Sequence, residues 1–354
     1  MMAQANDNRL LSLDLVRAIL AIQVAAGHID GYSYFQRLSG GPLCVVYFFV
    51  LSGFVLSHAY ESSISLKSFR LRDFALARFA RLYPLHIVTF VVAAIIWSGA
   101  LFAQHYAGIR MNTGFNCTFT DFFESITLTT YLFGGKPCFN APSWSISVEW
   151  WCGLGLFALM LPTSRIIKAA TCIFVVLIAC ILDTHYKVGM ISIIAGWLAH
   201  MASICLPRIG RGWAFAGLTL ALLLSIMTGP IGDRLIPLPW DVPVTVVAFA
   251  VSVWLCAHLE LPSIIAKPSR ILGDWSYGIY LWHYPIFLVQ LGLVLIADQK
   301  FHLGIAKTPI FDLVFFGTVF LTASISFKFL ERPMQKLIRS RGTSRLRGAV
   351  AQST

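Results

Sequence analysis

Charge is what this sequence has least of: only 12% of its 354 residues are Asp, Glu, Lys or Arg, and acidic residues number 16. A soluble domain of this length would need far more polar surface, so that class is excluded. The period-two alternation of an outer-membrane barrel is missing as well, and an open sheet cannot satisfy its backbone in lipid. No internal repeat, no soluble domain and no cysteine pair at zinc-type spacing from histidines can be found, so no metal is expected. A cleavable leader is not expected either, because Asp14 and Arg17 interrupt the first apolar run.

What is present is apolar: 57% hydrophobic residues and a mean hydropathy of +0.74. The runs are roughly 17 to 25 residues long, enough for a helix to cross about 30 Å of hydrocarbon. The expected fold is therefore all-α, a polytopic bundle of about ten transmembrane helices. The spans fall at Leu11 to Ile29, Pro42 to Tyr60, Leu82 to Ala103, Trp144 to Leu161, Ala169 to Leu182, Gly189 to Leu206, Trp213 to Gly229, Val242 to His258, Trp275 to Ala297 and Pro309 to Leu330. Residues 1–336 form one membrane domain, and 337–354 a basic, disordered cytoplasmic tail.

Basic residues set the orientation. With both termini cytoplasmic, the outside keeps only Arg37, Arg110, Lys136, Lys187, Arg234, Lys300 and Lys307 of the 27 Lys and Arg. The net charge of +11 is then mostly a topology signal with attraction to anionic lipid, and no nucleic-acid partner is expected. Six cysteines fall in or beside helices as small apolar packing residues. Cys117 and Cys138 share the long external loop from Gln104 to Ser143, where a disulfide and two free thiols are both open.

Ionisable groups inside spans are costly and therefore mark candidate sites. In the first span, Arg17 and His28 are eleven residues apart, three turns plus about 20°, so they share one stripe roughly 16 Å long. Asp14 lies one turn before Arg17 on nearly the same face. These groups can be interfacial anchors, or the wall of an aqueous or protein-lined path. Glu149, one to two turns into the fourth span, is expected at a depth similar to His28 and could orient that imidazole as a general base, or could look into an aqueous vestibule. Arg78 and Arg81, one turn apart at the cytoplasmic start of the third span, make a fork suited to phosphates or ordinary positive-inside anchors. His86 could join that fork. His283 lies near mid-membrane among Tyr277, Tyr280, Trp282 and Tyr284.

The segments LDLVRAILAIQVAAGH, VVYFFVLSGFVLS, RFARLYP, SWSISVEWW and WSYGIYLWHYPIF, in that order between Leu11 and Pro333, resemble the acyltransferase 3 family of membrane acyltransferases. The resemblance implies transfer of an acyl group, usually acetyl, from cytoplasmic acetyl-CoA or another acyl-CoA to a hydroxyl of an extracytoplasmic glycan or lipid-linked saccharide, at a bacterial inner membrane. By motif position, His28 would be catalytic with Arg17 its helix partner and Glu149 the accompanying carboxylate, and Arg78 and Arg81 would contact the donor; Arg17, lower on the same stripe, and His283 are further expected donor contacts. Many members carry a second acid after the glutamate, where this chain has Trp150. The external loop, with Asn112, Phe115, Asn116, Phe119, Asp121, Glu124 and Tyr131, is the expected acceptor surface. A polytopic transporter or flippase is the alternative class, against which stand the missing inverted repeat and the absence of paired broken helices.

Overall fold

The computed structural model describes residues 9–29, 31–34, 43–65, 70–107, 117–162, 164–207, 209–227, 241–302 and 304–340. Among these it contains helices and turns and no strand. In chain order the helices are α1 Leu11–His28, α2 Leu43–Ser65, α3 Leu71–Ala107, α4 Phe119–Thr127, α5 Trp144–Met160, α6 Arg165–Leu182, α7 Thr184–Cys205, α8 Arg211–Met227, α9 Asp241–Cys256, α10 Ser263–Phe301 and α11 Pro309–Ser326. The chain continues from α11 through a π-type turn, Phe327–Glu331, and stays helical to Ser340. The rest of the expected tail, 341–354, lies outside the described residues, as do Asn112, Phe115 and Asn116.

Every expected span coincides with one of these helices. Seven are long and apolar enough to cross a membrane: α1, α2, α3, α6, α7, α10, and α11 with its extension. The other three, α5, α8 and α9, have 17, 17 and 16 residues. With no water in hydrocarbon, each backbone amide must find its partner within the helix, and the apolar sequence favours helix for that reason. Such a chain is a multi-pass membrane protein.

Lipid gives helices no hydrophobic reason to associate, so close approach between small residues carries the packing. The pair α2 and α7 illustrates this. A side chain on Gly53 would strike the carbonyl of Ile193, and one on Gly196 would strike the carbonyl of Val50. Helix α1 lies in the same way along α10, where Gly273 leaves room for Asp14. At the periphery, α6 buries little beyond Val175 and Ala179 and presents Ile166, Ile173, Phe174, Leu177 and Ile181 outward. A helix apolar on its outward face faces lipid.

The segment between α3 and α5 is not the long open loop expected from sequence. Helix α3 runs on to Ala107, α4 interrupts the connection, and Cys117 and Cys138 are joined by a disulfide. Asp121 and Glu124, expected to face a sugar, turn inward and are buried.

Candidate active site

Helix α1 supplies one wall. Arg17 donates to Asp14 one turn below, to the Ser276 hydroxyl at 3.0 Å and to the Gly273 carbonyl at 3.0 Å. Arg9, just before the helix, pairs with Asp14 and with Asp274 at 2.8 Å. The first span thus docks on α10 through a charge network in which every carboxylate has an arginine, the condition for holding charge away from water.

The two arginines of α3 do not form a bare fork. Arg78 donates to the Glu149 carboxylate at 2.9 Å, and the same oxygen accepts from the Ser52 hydroxyl at 3.0 Å. Arg81 stands 3.6 Å from the buried carboxylate of Glu331 and 5.2 Å above the ring of Tyr277. Each guanidinium has its own counter-ion, which fixes its position at the cavity wall. Sequence reading missed Glu331; the available signal was a lone acid in the otherwise basic stretch from Lys328 to Arg341.

All of these groups except Glu331 line one cavity of about 460 Å³. Five arginines, Arg9, Arg17, Arg78, Arg81 and Arg339, border it against the carboxylates of Asp14, Glu149 and Asp274. Phe48, Ile146, Ser145 and Tyr280 also line it. Ser145 and Tyr280 are hydroxyl to hydroxyl at 2.7 Å. A cavity bordered by five arginines and reaching Phe48, Ile146, Ser145 and Tyr280 suits an elongated ligand that is anionic at one end.

His28 and His283 lie outside that lining, and they meet. His283 Nε2 is 3.2 Å from His28 Nδ1, and the Tyr280 ring lies 6.0 Å from that of His283. The proton positions follow from the partners. His28 Nδ1 is 2.9 Å from the Val24 carbonyl and His283 Nδ1 is 3.2 Å from the Ile279 carbonyl. A carbonyl only accepts, so in the neutral pair both Nδ1 atoms carry hydrogen. His283 Nε2 is then an acceptor for His28 Nδ1–H, and His28 Nε2 keeps a free lone pair. His283 is fully buried whereas His28, as a whole residue, is exposed.

Two sequence expectations are corrected here. Glu149 is bonded to Ser52 and Arg78 and borders the cavity, and the side chains that meet His28 are His283 and, edge-on, Tyr284. His86 does not join the arginines; it is buried and donates to the Ser125 carbonyl at 2.9 Å. Among the described residues no cluster of three or more His, Cys, Asp or Glu could hold a metal.

Comparison with known proteins gives these residues a setting. The chain is 23% identical to the peptidoglycan O-acetyltransferase OatA of Listeria monocytogenes over 92% of its own length and 56% of the relative's. It is 26% identical to the acyltransferase MdmB of Streptomyces mycarofaciens over 78% of its length and 79% of the relative's. A further relative, at 22% identity over 91% of the chain and 54% of the relative, is the putative peptidoglycan O-acetyltransferase YrhL of Bacillus subtilis. The chain thus spans about half the length of the peptidoglycan O-acetyltransferases it matches. No solved structure matches it. The family model described as an acyltransferase domain, of the acyltransferase 3 type, matches residues 10–328, and the chain belongs to that family.

Proposed function

We propose that this protein is an integral-membrane O-acyltransferase that moves an acetyl group from cytoplasmic acetyl-CoA to a hydroxyl of an extracytoplasmic saccharide, of which peptidoglycan is the example its relatives' names supply. In this reading the chain crosses a bacterial inner membrane ten times with both termini cytoplasmic, as the basic residues favour. The observation that carries it is the cavity: arginines line it together with Tyr280, whose ring lies 6.0 Å from that of His283 in the His283–His28 pair.

The donor's phosphates are held by Arg17, Arg78 and Arg81 at the mouth, and its pantetheine arm follows the cavity toward Tyr280. The acceptor hydroxyl approaches the exposed His28 from outside. His28 Nε2 takes the hydroxyl proton as the oxygen attacks the thioester carbonyl. The ester C–O bond forms, the C–S bond breaks, and the proton passes to the departing thiolate. The imidazolium formed in between is steadied by the Val24 carbonyl and by His283 Nε2, both accepting from Nδ1–H.

The test is labelled acetyl-CoA given to the purified protein with a saccharide acceptor. Wild type should form a labelled ester, and His28→Ala should form none while still binding donor. Near-normal turnover by that variant would remove His28 from the mechanism, and failure of wild type to make product with any acceptor would favour a carrier. Comparing surface glycans by mass, with and without the gene, identifies the acceptor as the species that loses one acetyl unit.

A further inference from the structure

The segment 117–143 has its polarity inside out. Along α4, Asp121, Glu124 and Ser125 recur at the spacing of one helical stripe, and that stripe is buried, as is Leu128 just after the helix. On the opposite stripe, Phe119 and Phe123 point outward, 83% and 51% exposed, and Phe122 and Ile126 are partly exposed beside them, Phe122 resting on Phe90. A surface helix in water would turn over. One that keeps its phenylalanines outward is surrounded by something apolar.

The inward side chains have a definite task. Glu124 accepts the backbone N–H groups of Phe133 and Gly135, each at 3.0 Å, and Asp121 accepts those of Lys136 and Thr118. Ser125 accepts that of Cys138 at 2.9 Å. Carbonyls of the irregular backbone are satisfied too: Leu128 by Trp151, Thr130 by Tyr186 and Phe139 by Trp97. A loop in water leaves its backbone to the solvent. Non-helical backbone whose groups are paired in this way is the form tolerated at membrane depth.

The partners also report depth. Ser125 is bonded to His86 while Phe122 meets Phe90, so α4 runs antiparallel to α3, descending beside it. Trp151, which holds Leu128, lies seven residues, about 10 Å, along α5 from its start. The far end of α4 is therefore about two turns below the rim at which α5 begins.

We propose that residues 117–143 form a re-entrant hairpin in the outer leaflet, with the Phe119, Phe122, Phe123, Ile126 stripe of α4 seated against phospholipid acyl chains. The proposal rests on the topology given under the proposed function, not on acyl transfer. Its occupant is lipid because α4 docks on α3 through the contact of Phe122 with the buried Phe90, and α3 along that stretch exposes Val91, Ile95, Leu101 and Phe102. The hairpin also reaches the candidate site, since Asn140 donates to the Leu281 carbonyl, two residues before His283.

The experiment replaces Phe119, Phe123, Lys136 and Ile173 singly with p-benzoylphenylalanine in the full chain and irradiates native membranes. Mass analysis should find phospholipid adducts at 119 and 123, as at the lipid-facing α6 control 173, and none at 136. Lipid at 173 with none at 119 and 123 overturns the proposal and leaves the membrane reading intact. Capture of a second polypeptide at 123 in place of lipid also overturns it. No lipid at 173 either would sink both.

Discussion

An imidazole serves as a base when its other nitrogen is committed to donating, and at His28 that commitment is made by Val24 and His283. Loss of His28 should lower kcat on the order of 10²–10⁴-fold, the usual worth of a general base. His283→Ala removes only one of the two acceptors at Nδ1, so it should cost less and should shift the pH profile of kcat. Glu149→Gln, which loosens Arg78 instead, should raise the donor KM and leave that profile in place. A shifted profile in the Glu149 variant would restore the carboxylate–His28 pairing that the sequence suggests. A second residue-scale prediction concerns Asp183, at the corner between α6 and α7. Burial opposes its charge, but the His185 backbone N–H and side chain hold its carboxyl below the ordinary value of 3.8. A depressed folded value means stability that is present above 3.8 and is lost as pH falls through the lowered value. Asp183→Asn keeps an acceptor at the N-cap but no charge. Its melting temperature should therefore lie below wild type at neutral pH, and the gap should close toward acid; a gap constant with pH would assign the effect to capping alone.

Helices were legible wherever one residue type dominated a long run, which is why each expected span meets an observed helix. Legibility failed where the polar residues faced inward. Asp121 and Glu124 read as solvent-facing because acids in a connection usually are, and only their backbone partners, remote in sequence, reveal the opposite. Glu331 escaped for a related reason. Its neighbour Arg81 comes from a helix 250 positions earlier, and spacing along one chain segment carries no information about such a pair. The α2–α7 contact gives the element-scale prediction. Gly196→Val places a branched side chain against the Val50 carbonyl and the backbone of Phe54, with nothing flexible to yield. Overpacking of this kind costs about 1–3 kcal/mol. The variant should melt earlier in detergent, whereas Gly99→Val, with open space beside it, should not.

Across the whole molecule the difficulty is distance, since Arg17 and His28 are roughly 16 Å apart along one helix and in the proposed transfer the acyl group must cover that interval. Sequence puts Arg17 and His28 on one stripe of α1 but holds nothing about what lies between them. The cavity spans part of the interval, because its lining includes Arg17, Arg81, Tyr277, Ser145 and Tyr280, and the Tyr280 ring lies 6.0 Å from that of His283. If that channel carries the pantetheine arm, its two ends are separable by substitution. Ser145 is nearly fully buried, borders the cavity and is hydrogen-bonded to Tyr280. Ser145→Leu should fill that part of it without touching the arginines. Coenzyme A, which lacks the acyl group, should still bind near its wild-type affinity, showing that the fold and the mouth survive, while turnover with acetyl-CoA falls by at least tenfold. Arg81→Ala should do the reverse, weakening binding of coenzyme A and acetyl-CoA alike. Unchanged turnover in Ser145→Leu would mean that the acyl group reaches His28 by another path and that the cavity serves a ligand other than the donor.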